Sequence, residues 1–329
     1  MPDIRLSLAI SYYDHVSDLV RGRVRPEGIR LTTTELPVEE IFFRMMSFAE
    51  WDAAELSMAK YVSLVGAGAS PFSAIPVFPS RVFRQSAVYV STRAGIGGPQ
   101  DLAGKRVGIP EWAQTAGIYA RAYLQHQCGV RLDGIHWVQS GVNEPGRFEK
   151  VNLSLPAAIQ IERIEDRSLD EMLLAGELDA IISAREPRAF VEQDPRIARL
   201  WPDYRALEEE YYRSTGIFPI MHAIVINAQK LARLPWIARN LFEAFEEAKT
   251  NSLRHAVRLT TSRFPFAWSH HAALEATKVF GDDCWPYGIE PNRRTLEAFT
   301  RFCWEQGVTG RQVRIEELFP RELAETFKV

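Results

Sequence analysis

His222 stands in the middle of TGIFPIMHAIVIN (Thr215–Asn227), where Ile217, Phe218, Ile220, Met221, Ile224, Val225 and Ile226 are apolar and largely strand-forming. A polar ring inside a buried strand needs a hydrogen-bond partner, either a neighbouring protein group or a bound molecule. An imidazole titrates near neutrality, so His222 is the first candidate for a proton donor. Glu55, closing the short strand expected at Asp52–Leu56, is the second, provided burial raises its proton affinity. Asp14 and His15 follow Tyr12 and Tyr13 in the loop after the first strand and form a further acid–base pair, of functional or structural use.

Carboxylate chemistry has its own candidates. The segment Pro79-Ser80-Arg81-Val82-Phe83-Arg84 offers two guanidinium forks beside a hydroxyl, or else a solvated loop. Arg185 lies just past the strand expected at Leu178–Ser183, where ligands gather in parallel sheets; a salt bridge to Glu186 or another acid is the competing account. The loop Glu111–Ala116 runs into a helix whose first amides favour an anion. Thr115 there is placed to cap the helix or touch a ligand. Trp112 is placed to stack on a ring or to pack in the core.

The elements that must position these residues alternate between strand and helix, which predicts an α/β fold with largely parallel sheets. Strands are expected at Ile4–Ile10, Ile29–Thr34, Gln85–Ser91 and Arg106–Ile109. Val38–Phe48 carries apolar residues at helical spacing, and helices are expected near Ser57–Val65, Thr115–Gln127, Pro235–Arg258 and Arg294–Gln306. Ser168 and Glu171 form a capping-box pattern, with Gly176 ending the helix that follows. This order predicts two lobes joined by two crossovers. Residues 1–91 plus 216–329 form the first lobe with the C-terminal helices, and residues 92–215 form the second. The cleft between them is the expected binding site.

Composition narrows the function. A formal net charge of −3 leaves no basic footprint for nucleic acid. No apolar run approaches the ~20 residues of a membrane span. Asp3 and Arg5 interrupt any signal-like start, and Cys128, Cys284 and Cys303 fit no zinc or redox spacing, so a cytoplasmic protein is expected. The adjacent His270 and His271 project in different directions on a helix, and no metal site is expected. The aromatic C-terminal region leaves a homo-oligomer interface open, although core packing explains it more simply.

Several segments carry a family resemblance. Gly97–Ile109, its following helix and Leu169–Ser183 resemble the second lobe of type 2 periplasmic binding proteins. IPVFPSRVFRQS (Ile75–Ser86), TGIFPIMH (Thr215–His222), WPYGIEPNRRTLEAF (Trp285–Phe299), DAAELSMAKYV (Asp52–Val62) and QGVTGRQVRIEELF (Gln306–Phe319) are similar to the 4,5-dihydroxyphthalate decarboxylase family. The resemblance covers nearly the whole chain. It implies a two-lobed periplasmic-binding-protein-like fold and a cofactor-independent decarboxylase of a hydroxylated aromatic (di)carboxylate. In that reading Arg81 clamps a carboxylate, with Arg84 as second choice and Ser80 donating one further bond. Arg185 contacts the ligand from the second lobe, and His222 supplies the proton. After Pro110 the chain departs from the family pattern, reading EWAQTAGIYARAY where an aromatic-Gln-Met-Thr-Ala sequence is expected, which leaves the ring substituents open. The alternative is a non-catalytic solute-binding protein for a small aromatic carboxylate. A sensory effector domain ranks below both, because no helix-turn-helix segment or basic stretch accompanies the chain.

Overall fold

The structure is a computed structural model that describes residues 3–258, 260 and 264–324. Among the described residues, eleven strands form two sheets. The first contains β1 (Ile4–Ile10), β2 (Ile29–Glu35), β3 (Ala53–Ser57), β4 (Phe72–Ile75) and β11 (His222–Asn227) in the order β2-β1-β3-β11-β4. The second contains β5 (Val88–Ser91), β6 (Arg106–Ile109), β7 (His136–Gln139), β8 (Ile161–Arg163), β9 (Ala180–Ile182) and β10 (Ile197–Arg199) in the order β10-β5-β9-β6-β7-β8. The parallel pairings expected from alternation are present: β1 with β2 and β3, β6 with β7 and β9, and β7 with β8. Each strand that follows a crossover enters its sheet antiparallel. β5 runs against β9 and β10, and β11 against β3 and β4.

The first crossover therefore precedes residue 88, and the expected boundary at residue 91 is corrected: β5 belongs to the second lobe. The two crossovers lie side by side. The Met221 amide donates to the Ser80 carbonyl at 2.8 Å, the Ile224 amide donates to the Val77 carbonyl at 3.1 Å, and Arg81 bridges Ile220. This pairing also explains why the strand expected over Thr215–Asn227 begins only at His222. Gly216 ends the Tyr204–Thr215 helix at φ 68°, and residues 217–221 belong to the crossover. The apolar character of that stretch comes from packing: Phe218 joins a three-ring cluster with Phe83 (5.1 Å) and Phe280 (4.8 Å).

The helices lie close to their expected spans. Val38–Phe48 is observed as such, Met58–Gly66 follows β3, and Thr115–His126 follows the loop after β6. Ser168 and Glu171 form the reciprocal capping box, and Gly176 terminates that helix in the left-handed region. The helices Tyr204–Thr215 and Ser269–Phe280 are additions to the expected set. The C-terminal assignment to the first lobe holds only in part. Helix Trp236–Ala256 packs on the first lobe, but helix Arg293–Glu305 lies against both Met58–Gly66 and Thr115–His126. Gln306, just beyond it, bonds Arg121 and the Ile118 carbonyl of the second lobe. One continuous buried cluster consequently runs from β1 through both lobes to Phe319.

Candidate active site in the interlobe cleft

A cavity of ≈ 880 Å³ opens between the lobes. Its first-lobe wall includes Phe42 and Phe43 on the Val38–Phe48 helix, Ser57 at the end of β3, Lys60 on the next helix, and His222. Its second-lobe wall includes Arg84, Glu111, Thr115 and the Arg147–Lys150 loop.

The centre of the site is a hydrogen-bonded set behind His222. In the antiparallel register His222 lies opposite Ser57 and Ile224 opposite Glu55, so Glu55, Ser57 and His222 share one face of the sheet. The His222 Nδ1 is 2.6 Å from Glu55 Oε1. The Tyr13 hydroxyl donates to the same oxygen at 2.5 Å, and the Ser11 amide donates to Oε2 at 3.0 Å. Burial and the adjacent Glu55 carboxylate push the Tyr13 phenol far above its ordinary range, so it stays a donor. Glu55 is fully buried, whereas the His222 side chain is 16% exposed and lines the cleft. Phe42 meets the imidazole edge to face at 4.9 Å. With Nδ1–H spent on Glu55, Nε2 is the nitrogen left for chemistry, and the carboxylate supports the ring when that nitrogen carries a proton. Glu55 is thus placed as a positioning residue behind the imidazole. The alternative role as proton donor is corrected by its lack of contact with the cleft.

The anion-binding elements also differ from expectation. Arg81 is 4% exposed and points away from the cleft. Its guanidinium donates to the Phe218 carbonyl at 3.0 Å, the Pro286 carbonyl at 2.7 Å and Asn292 Oδ1, with Phe78 and Phe218 against its faces. It staples the crossovers to the C-terminal region and has no clamp role. Arg84, three residues on, does line the cleft. Its Nε lies 3.2 Å from Met221 Sδ, and among the described residues no carboxylate forms an ion pair with it. Burial depresses its proton affinity, to about 10, which still leaves it charged.

Thr115 is the first residue of its helix, and Gln114 occupies the cap position without a side-chain cap. The Thr115 hydroxyl instead accepts the Ala59 amide of the first lobe at 3.1 Å and lies 3.0 Å from the Ser57 hydroxyl. Two helix N-termini therefore meet at the cleft, each with amides that have no intrahelical acceptor.

The other expected residues lie elsewhere. Trp112 is fully buried, bonded to the Gln306 carbonyl at 2.6 Å and covered by the Arg121 guanidinium at 3.8 Å, so it packs and cannot stack on a ligand. Arg185 is mostly exposed and pairs at 2.8 Å with Glu39 of the first lobe, which makes it a cross-cleft tie at the rim; Glu186 pairs with Arg199. Asp14 is exposed and does not line the cleft. His15 packs among Tyr13, Trp285 and Tyr287, where burial pushes it down to about 4, so it is a neutral core ring. Ser80 sits by the Tyr13 phenol behind the site.

Tyr13 and Lys60 are the functional candidates that the sequence reading missed. Lys60 had a readable signal, being the only charged residue between Glu55 and Arg81. Among the described residues, no group of three or more histidine, cysteine or acidic side chains is arranged to hold a metal ion.

Two lobes closing on a cleft define the periplasmic-binding-protein-like class. Solved structures agree: the aliphatic sulphonate binding protein SsuA of Escherichia coli superposes with a TM-score of 0.55 at 11% identity, covering 98% of this chain and 99% of that one. The sulfonate-binding SsuA of Methylobacillus flagellatus gives 0.56 at 11%, covering 98% and 94%. These likenesses establish the fold alone. No protein-family model matches the sequence. The chain belongs to the 4,5-dihydroxyphthalate decarboxylase family. It is 34% identical over 330 residues to the 4,5-dihydroxyphthalate decarboxylase of Comamonas testosteroni, covering 100% of both chains. It is 38% identical over 215 residues to that of Pseudomonas putida, covering 65% of this chain and 83% of the relative.

Proposed function

We propose that this protein is a cofactor-independent carboxy-lyase that decarboxylates a hydroxylated aromatic dicarboxylate such as 4,5-dihydroxyphthalate, as a cytoplasmic step in phthalate breakdown. The observation that carries this reading is His222, bonded through Nδ1 to buried Glu55, opening onto a cleft with the Arg84 guanidinium and a helix N-terminus.

Direct loss of CO2 would leave an aryl carbanion in the ring plane, without delocalisation. Protonating the carbon that bears the carboxylate avoids this. The His222 Nε2 proton moves to that carbon while the para hydroxyl feeds electrons into the ring, giving a dienone-like intermediate. The C–C bond then breaks, its electron pair restores aromaticity, and CO2 departs. The hydroxyl proton given up on the way in returns on the way out, so each turnover consumes one proton, which His222 recovers from solvent. Arg84 and the amides at the start of helix Thr115–His126 hold the carboxylate that remains. Closed lobes keep water from the site.

The test is incubation of purified protein with 4,5-dihydroxyphthalate in D2O. The expected result is CO2 with protocatechuate carrying one deuterium at the vacated carbon. His222→Gln is expected to lower kcat by roughly 10²–10⁴-fold while ligand binding is retained. Recovery of the acid unchanged after long incubation would leave a binding protein without catalysis.

A further inference from the structure

Lys60 sits where its own helix disfavours it. It is the third residue of Met58–Gly66, so its charge lies in the first turn, at the positive end of the helix dipole. It is also 6% exposed. Its ammonium is held by Glu111 at 2.5 Å and by Glu149 at 3.1 Å, and Glu111 in turn receives Arg147 at 2.7 Å. Such a buried ionic cluster contributes less stability than well-packed apolar groups of the same volume, so packing does not account for it. An ammonium has three donors, of which these two carboxylates take two, and the side chain faces the cleft.

Two parts of the cavity lining therefore ask for different chemistry. At Arg84, among the described residues, no carboxylate forms an ion pair with the guanidinium and only Glu208 acts on it from further off, which suits a carboxylate ligand. At Lys60 a donor lies between two acceptors. Arg147 at 2.7 Å and Lys150 at 3.9 Å also pair with Glu111, so its charge is already shared, and the remaining Lys60 N–H beside the Glu149 carboxylate suits a group that both donates and accepts, namely a hydroxyl.

We propose that Lys60, flanked by Glu111 and Glu149, is the hydroxyl-reading end of the site. It holds the ring hydroxyl para to the carbon that loses CO2, and so selects hydroxylated over plain phthalates. This rests on the decarboxylase reading above. As the ring carbon is protonated, the third Lys60 N–H bonds the oxygen while it gains carbonyl character. The hydroxyl proton shifts along its hydrogen bond to Glu149 and returns when CO2 leaves, so this end exchanges no net proton.

The experiment measures binding of phthalate, 4-hydroxyphthalate and 4,5-dihydroxyphthalate by calorimetry, together with kcat on the last. In the unaltered protein affinity is expected to rise with each hydroxyl. Lys60→Gln is expected to weaken the hydroxylated ligands by roughly 10–100-fold, the worth of a hydrogen bond to a charged group, while phthalate changes less than about threefold. Arg84→Gln is expected to weaken all three together. Equal weakening of phthalate and the hydroxylated acids in Lys60→Gln overturns the proposal, as does an unchanged preference for hydroxyls. Should Lys60→Gln fail to fold, Lys60→Arg keeps the charge but presents a flat, wider head, and it too is expected to lose most of the hydroxyl preference; retained preference overturns the proposal. Absence of CO2 from the unaltered protein would remove the decarboxylase reading, and the binding series would still report on Lys60 separately.

Discussion

Glu55→Gln separates positioning from chemistry. The carboxylate receives three hydrogen bonds in a fully buried place: Tyr13 and His222 on Oε1, at 2.5 and 2.6 Å, and the Ser11 amide on Oε2 at 3.0 Å. A glutamine has one oxygen and one NH2. If the oxygen faces His222, the NH2 confronts the Ser11 donor. If the amide is turned over, the NH2 confronts His222, which must then present Nδ1 as an acceptor. Either way a buried donor goes unpaired, at a cost of ~1–3 kcal/mol in stability. The charge behind the imidazolium is lost in both cases. A hydrogen bond to a charged partner is worth ~1.5–3 kcal/mol, and each ~1.4 kcal/mol is a tenfold rate, so kcat should fall roughly 10–100-fold. KM should hardly move, because Glu55 does not reach the cavity surface. Steady-state CO2 release over a range of substrate concentrations reads both quantities. The double variant with His222→Gln should be no slower than His222→Gln alone, because Glu55 acts through the ring. A kcat within twofold of the unaltered protein, or additive losses in the double variant, would refute the assignment.

Three further outcomes follow from the geometry. Arg84→Lys keeps the charge but not the fork, and should raise KM for the dicarboxylate by about tenfold with a smaller change in kcat, read from initial rates. Arg81→Met leaves the Phe218 carbonyl and Asn292 Oδ1 without this donor, while the Pro286 carbonyl keeps the Asn292 amide, so at ~1–3 kcal/mol for each stranded acceptor it should cost ~2–6 kcal/mol of stability in urea unfolding; a normal midpoint with lost binding would return Arg81 to the cleft. His15 takes up a proton near pH 4 in the folded protein but near 6.5 when unfolded. The unfolded chain thus binds the proton first as pH falls. Stability from this ring is full above pH ~6.5 and is lost on acidification toward 4, by at most ~3 kcal/mol. His15→Phe should flatten the unfolding midpoint between pH 7 and 4.5, and an unchanged slope would place the acid sensitivity elsewhere.

Local patterns carried much of this fold into the sequence. The Val38–Phe48 helix shows its periodicity, the Ser168–Gly176 segment shows both its caps, and β1 runs over the expected residues. Tertiary detail was less legible. Arg81 and Arg84 are identical in type and three residues apart, yet one meets carbonyls from distant Phe218 and Pro286 and the other meets the cleft. Only chain folding can tell them apart. Trp112 was ambiguous for the same reason, since its partner Gln306 lies far along the chain. Crossover residues 217–221 mimic a strand because packing against aromatic rings demands the same apolar side chains as a sheet. The place of His222 in the cleft was readable because a lone imidazole contrasts with its surroundings. Its support was not, because the bond from His222 to Glu55 spans 167 positions of sequence and that from Tyr13 to Glu55 a further 42.

The Thr115 hydroxyl binds an amide of one half of the molecule while its own backbone begins a helix of the other. Parting the halves strands the Ala59 amide until a solvent molecule reaches it, and carries the first amides of the second helix away from any acid they hold. One small side chain thereby couples grip to seal.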